Sequence, residues 1–284
     1  MRAKLISELF GTFIWINRAV LYFSYIISMK RFMMTMMFGT LAGCASDPKS
    51  ALPEVTPNSP EAAATIETQI RSAAGKPEGE LTTMDLDKVT MINLESSGIS
   101  DLGELKKLRQ LKALYLRDNS VTDINALRGL TKLEYLQLSS NQLVDADALG
   151  ELRELEWLDL VYNYLTDTSA LATLKKLKVL NLAGQCPLQN GPRLTDVNAL
   201  KGLTQLEELN LWGNRIRDVS ALKGLTQLKV LNLRENRLTD VKTLANLKQL
   251  KELNLQDNPD LTKAQIDQLQ KALPKCKIYS NPKK

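Results

Sequence analysis

The chain has 284 residues, a formal charge of +5 and no histidine. The missing imidazole removes the Ser-His-Asp and Cys-His nucleophile arrangements and the commonest transition-metal ligand. Arg2, Lys4, Arg18, Lys30 and Arg31 stand against Glu8 alone within residues 1–43, which leaves +1 for the remainder, where the two signs alternate and no face is basic enough for nucleic acid.

In chain order, Leu9 to Ser28 is mostly apolar but interrupted by Asn17 and Arg18. Two readings stand: a stretch preceding a true start at Met29, or a spanning helix, for which roughly 20 apolar residues suffice. From Met29 the pattern is that of a secretory signal, with basic Lys30 and Arg31, apolar Phe32 to Thr40, then Leu41-Ala42-Gly43-Cys44. These last four residues resemble the bacterial lipoprotein signal box. The resemblance implies cleavage before Cys44, its acylation, and anchoring in the cell envelope. Because Ala45 follows the cysteine, and not aspartate, it also implies export to the outer membrane. Residues 1–43 are the expected leader.

Residues 44–63 are rich in Pro, Ser, Ala, Glu and Asn and too poor in apolar side chains to build a core, so they are expected to be a flexible tether. Residues 64–85 place Ile66, Ile70 and Ala73/Ala74 at helical spacing before Gly75 and Pro77, which stop the helix. This segment is similar to the helical N-terminal cap of internalin-like proteins.

From Leu86 one unit, LxxLxxLxLxxNxIxDIxxLxx, recurs with starts at Leu86, Leu108, Leu130, Leu152, Leu174, Leu203, Leu225 and Leu247. Such a fixed period with L-x-x-L-x-L-x-x-N is the signature of the leucine-rich repeat, in which each unit adds one short strand to a solenoid. Eight repeats are expected over residues 86–262. Over residues 64–280 the chain resembles the 22-residue repeats of the bacterial internalin family and of the phosphatase-regulator type. The implied fold is α/β: a right-handed solenoid with a curved parallel sheet on the concave face, a short 3-10 or irregular convex side, and helical caps at both ends.

Within a unit, positions 7 and 9 are expected to point inward and positions 6, 8 and 10 outward. Asn at position 12 (Asn119, Asn141, Asn163, Asn214, Asn236, Asn258) has the donors and acceptor to satisfy backbone in its own and the adjacent unit. Asp at position 16 (Asp101, Asp123, Asp145, Asp167, Asp196, Asp218, Asp240) reads as turn chemistry. One carboxylate per strand does not converge into a calcium cage. The Asn residues at position 8 (Asn181, Asn210, Asn232, Asn254) read as solvent-facing. Residues 186–192 are inserted into the fifth unit, after Gln185 has replaced the usual Asn.

The C-terminal cap, residues 263–284, opens with a helix to Leu273. Leu273, Cys276 and Ile278 are then expected at positions 4, 7 and 9 of a ninth strand, with no disulfide to Cys186 several strands away.

All five Phe lie in residues 1–43, so the rings of the remaining chain are Tyr, Trp and nothing else. Tyr115, Tyr135, Trp157, Tyr162, Tyr164 and Trp212 fall on outward positions or the loop that follows. They are the candidate partner-binding residues, since Tyr and Trp dominate interface energies, and Tyr115, Tyr135, Trp157 and Tyr162 are close enough along the solenoid for one patch. No catalytic, metal or cofactor site is expected. Three readings remain open at this point: a lipid-anchored monomer binding a protein partner on its concave face, in adhesion or host interaction as the internalin resemblance implies; an envelope scaffold without a single tight ligand; or a cytosolic phosphatase-regulator-like protein should the leader not be real.

Overall fold

The computed structural model describes residues 55–185 and 193–282; the leader, Cys44 and the 186–192 insertion lie outside them. Nine three-residue strands form one parallel sheet in sequence order, from β1 (Met91–Asn93) through β2 (Ala113–Tyr115), β3 (Tyr135–Gln137), β4 (Trp157–Asp159), β5 (Val179–Asn181), β6 (Glu208–Asn210), β7 (Val230–Asn232) and β8 (Glu252–Asn254) to β9 (Lys277–Tyr279). Position 7 stays in register along the sheet, Leu114 facing Leu136 and Leu136 facing Leu158. This is the leucine-rich-repeat solenoid.

The unit folds this way because its leucines are spaced for one shared core. In the second unit Leu108, Leu111, Leu114, Leu116, Val121, Ile124 and Leu127 are all buried, and the other units stack the same positions against them. Short 3-10 helices, from Gly103–Lys107 to Lys242–Asn246, form the convex side. Each is capped by the position-16 carboxylate, which accepts the N–H two residues on, as in Asp145 from Asp147 (2.6 Å) and Asp218 from Ser220 (2.7 Å). The position-12 amide ties units together. Asn163 donates to Leu160 O (3.1 Å) in its own unit and Leu138 O (2.9 Å) in the preceding one, and accepts from Leu143 N (3.0 Å). Gln185 keeps the ties to the preceding unit with its longer arm, donating to Leu160 O (2.8 Å) and accepting from Leu165 N (3.1 Å). Beside the insertion this pattern fails, and the buried Oδ1 of Asn214 has no hydrogen-bond partner.

Both open ends are closed. Helix α1 (Pro60–Ala74) is capped by Ser59, ends on Gly75 at φ 68°, and buries Ala62, Ile66, Ile70 and Ala74, one turn apart. It packs against β1. It starts four residues earlier than expected, because Ser59 and Pro60 form a strong helix-start pair and Asn58 is itself docked on the first unit, donating to Asp101 O (2.7 Å) and accepting from Ser100 N (2.9 Å). The short α2 (Thr83–Leu86) has a Thr82/Asp85 capping box, and Lys76 and Lys88 hold the Asp85 carboxylate from two sides. At the other end α3 (Lys263–Ala272) has a Thr262/Gln265 capping box and packs over the last 3-10 helix.

The ninth strand is shifted from its expected register. Ile278 pairs with Leu253 and so occupies position 7, while the Cys276 N–H donates to Leu273 O as Leu250 N–H does to Leu247 O. Leu273, Cys276 and Ile278 therefore play positions 1, 4 and 7, one residue having been dropped before the strand. Cys276 still fills a buried leucine slot, and burial pushes its thiol up to about 11.

Candidate binding surface

Position 6 presents one continuous row along the outer face of the sheet. Met91, Ala113, Tyr135, Trp157 and Val179 are register neighbours on β1 to β5. Five strands at about 4.8 Å make a stripe on the order of 19 Å long. Met91 is 56% exposed, and the row ends at Glu208 on β6, whose carboxyl is raised chiefly by burial.

At its centre the rings pack against one another. Tyr135 and Trp157 stack at 4.1 Å with 7° between planes, and Tyr115 from position 8 leans on Tyr135 at 4.8 Å and 36°. Burial, with Tyr115 and the Asp159 and Glu95 carboxylates nearby, holds the Tyr135 hydroxyl well above its usual range. Charges flank this row as cross-strand pairs, Lys112 with Glu134 and Lys178 with Glu156, both at 2.7 Å.

Position 8 is a structural slot in five units. Asn93, Asn181, Asn210, Asn232 and Asn254 each turn a side-chain oxygen back onto the N–H of position 10, at 3.0 to 3.4 Å. They close the strand exit and are not merely solvent-facing. Asp159 accepts from Val161 N (3.0 Å) in the same way, yet it is a carboxyl, 9% exposed and pushed up to about 6 by burial, against the Val161 and Ser139 hydrogen bonds and the more distant Arg117.

A second ring pair sits where the chain leaves the strands. Position 11 is left-handed in every described unit (Ser96, Asp118, Ser140, Tyr162, Gly184, Gly213, Glu235 and Asp257 all have φ between 53° and 71°). For tyrosine that is unusual. It lays the Tyr162 ring on Gly184, where a Cβ would meet Tyr162 Cε1 at 2.5 Å, and edge-on to Trp212 at 6.3 Å and 77°.

Sequence profiles of the leucine-rich repeat match residues 204–259, and a two-copy form matches residues 109–151. No curated protein sequence matches the chain. Among solved structures, internalin C2 of Listeria monocytogenes is similar at 27% identity over 81% of this chain and 100% of that one, with a TM-score of 0.69. The chain is an internalin-like leucine-rich-repeat protein. The ectodomain of the plant membrane receptor kinase GASSHO1/SCHENGEN3 from Arabidopsis thaliana, solved in complex with CASPARIAN STRIP INTEGRITY FACTOR 2, is similar at 25% identity over 72% of this chain and 26% of that one (TM-score 0.56). A leucine-rich-repeat protein of Leptospira interrogans shares the fold at 23% identity, 70% and 63% coverage and a TM-score of 0.50.

In this internalin-like protein the six candidate rings divide into two groups and one outsider. Tyr115, Tyr135 and Trp157 form the central stack, and Tyr162 joins Trp212 instead of extending that stack. Tyr164 is 8% exposed and is not part of the outer face. It sits at position 13, where the backbone has already turned away and its N–H is bonded to Leu143 O of the preceding unit (2.8 Å). Residue-by-residue reading missed Asp159, although comparing position 8 across units singles it out. Among the described residues no group of three or more acidic or thiol side chains is placed to hold a metal, and no helix is long and apolar enough to cross a membrane.

Proposed function

We propose that this internalin-like protein is a non-catalytic binding module of the bacterial envelope, held at the outer membrane by acylated Cys44. It works as a monomer and receives a protein partner on the β1 to β5 half of its concave face. The observation that carries this reading is the stack of Tyr115, Tyr135 and Trp157 in the middle of an apolar row. One face of Tyr135 and one of Trp157 are taken by each other, and Tyr115 leans on Tyr135. The rest of the row is aliphatic (Met91, Ala113 and Val179), and rings set among alkyl side chains suit a polypeptide's side chains. The Arabidopsis ectodomain of the same fold, solved in complex with a partner, supports a binding role. The resemblance to internalins suggests adhesion or host interaction.

The test is capture from detergent-solubilised envelope by the intact protein and by Trp157→Ala and Tyr135→Ala. A specific partner lost with either ring supports the reading; identical capture by all three leaves the envelope-scaffold role. Labelling with a palmitate analogue, present in the native chain and absent in Cys44→Ala, tests the anchor. A Cys44→Ala protein that stays with membranes after carbonate washing would point to residues 9–28 instead.

A further inference from the structure

The repeats act as controls for one another, and at position 8 they isolate Asp159. Closing the strand exit needs only a side-chain acceptor for the position-10 N–H, and five sister positions provide it with asparagine. Asp159 keeps that bond and adds a charge in a buried place, which the fold does not require and which burial penalises. Buried charges are ordinarily paired, yet no ion pair closes on Asp159 among the described residues. Arg117, the cation near enough to act on it, is bonded through Nε to Asp118 (3.2 Å). The register neighbour on β3 is Gln137, whose Oε1 is buried and accepts no hydrogen bond. Two acceptors therefore lie side by side on the outer face, at the foot of the Tyr135–Trp157 stack, with one Coulombic requirement unmet.

We propose that Asp159 and Gln137 form a subsite for a basic side chain, lysine or arginine, inserted from the protein partner at the centre of the concave face. The carboxylate takes the charge, Gln137 Oε1 takes a second N–H, and the edges of Tyr135 and Trp157 flank the aliphatic stem. Excluding water here strengthens the pair beyond what an exposed one achieves. A calcium ion does not fit the same place, because two side-chain oxygens fall well short of the six to eight it takes. The inference rests on the concave-face reading and narrows it to partners that carry a basic residue at the contact.

The test uses the full chain labelled with 5-fluorotryptophan, with the Trp157 resonance assigned through Trp157→Phe. It is titrated at neutral pH and fixed ionic strength with the methylamides of N-acetylarginine, N-acetyllysine and N-acetylnorleucine. The expected result is a saturable shift of the Trp157 signal with the two basic probes and none with norleucine, and at least tenfold weaker binding in Asp159→Asn, a side chain that five sister units already carry. Equal response to norleucine, equal affinity in Asp159→Asn, or no response to any probe overturns the subsite. The capture experiment separates the two proposals. Loss of the partner in Trp157→Ala alongside a silent titration leaves the concave reading standing without the subsite, while a positive titration with capture unchanged by the ring variants means the site does not serve the proposed interface.

Discussion

Asp159→Asn should stabilise the protein at neutral pH and lose that advantage in acid. The Asp159 carboxyl is raised from 3.8 to about 6 in the folded chain, so between those values the native state holds a proton that the unfolded chain has released. A raised acid stabilises the fold fully below its unfolded value and loses that contribution as pH climbs through its folded value. Two pKa units correspond to about 3 kcal/mol at full ionisation. Allowing for relaxation around the charge, on the order of 1 to 3 kcal/mol should be recovered at pH 7.5 by an amide that cannot ionise. The Val161 N–H keeps its acceptor, and the new amide nitrogen stands beside the unpartnered Gln137 Oε1. Urea titrations of both proteins at pH 7.5, 6.5, 5.5 and 4.5 should give a difference largest at pH 7.5 and shrinking towards pH 4.5. A difference that does not change with pH, or a variant less stable at pH 7.5, refutes the argument that burial of an unpaired charge sets this site's energetics.

Leu158→Ala empties a fully buried position-7 slot and should cost about 2 to 5 kcal/mol. Trp157→Ala on the outer face forfeits mainly its stack on Tyr135, about 0.5 to 1.5 kcal/mol, so its thermal midpoint should fall clearly less. Gly184→Ala combines a positive φ with a Cβ 2.5 Å from the Tyr162 ring. It should cost about 1 to 3 kcal/mol and alter near-ultraviolet dichroism as Tyr162 leaves Trp212; an unchanged spectrum would mean the ring is not seated there. Removing residues 263–284 takes away β9 and α3 and should expose β8 amides to hydrogen exchange first, with protection falling off towards that end because repeats couple only to neighbours. Uniform loss across the sheet would contradict that coupling.

What could be read from the letters is what the core and the turns dictate independently in every unit. Leu at positions 7 and 9 must face inward because strand side chains alternate, and the position-12 amide and position-16 carboxylate act on backbone of known phase. What could not be read depends on one unit at a time. The left-handed position 11 is signalled by Ser96, Asp118, Ser140, Gly184 and Gly213, but Tyr162 and Glu235 obscure it. The ninth strand misled because a single residue is missing before Lys277, and a period-two pattern moved by one residue changes every assignment. Tyr164 and Tyr162 lie two residues apart and point to different environments because the chain reverses between them, an outcome set by backbone torsions and not by composition.

Departures from the repeat's own rule also single out one unit without reference to any other protein. At position 11 seven units place Ser, Asp, Gly or Glu and one places Tyr162; at position 8 seven units place an uncharged polar or tyrosine side chain, on β1 to β3 and β5 to β8, and β4 alone places Asp159. Each exception costs stability where it stands, one through a left-handed backbone that disfavours a bulky side chain and the other through a buried charge. Both fall in the fourth unit, beside Trp157 and next to Tyr135 in the third. Independent drift would scatter such costs over eight units, and selection for folding alone would remove them, since sister units show that cheaper residues do the same structural work. Their coincidence in one unit, the unit that carries Trp157, is what the proposed binding site, held against the interest of stability, would produce. The same logic sets the direction of the outcome at Asp159: the substitution that most relieves the fold should be the one that most weakens contact with a basic partner.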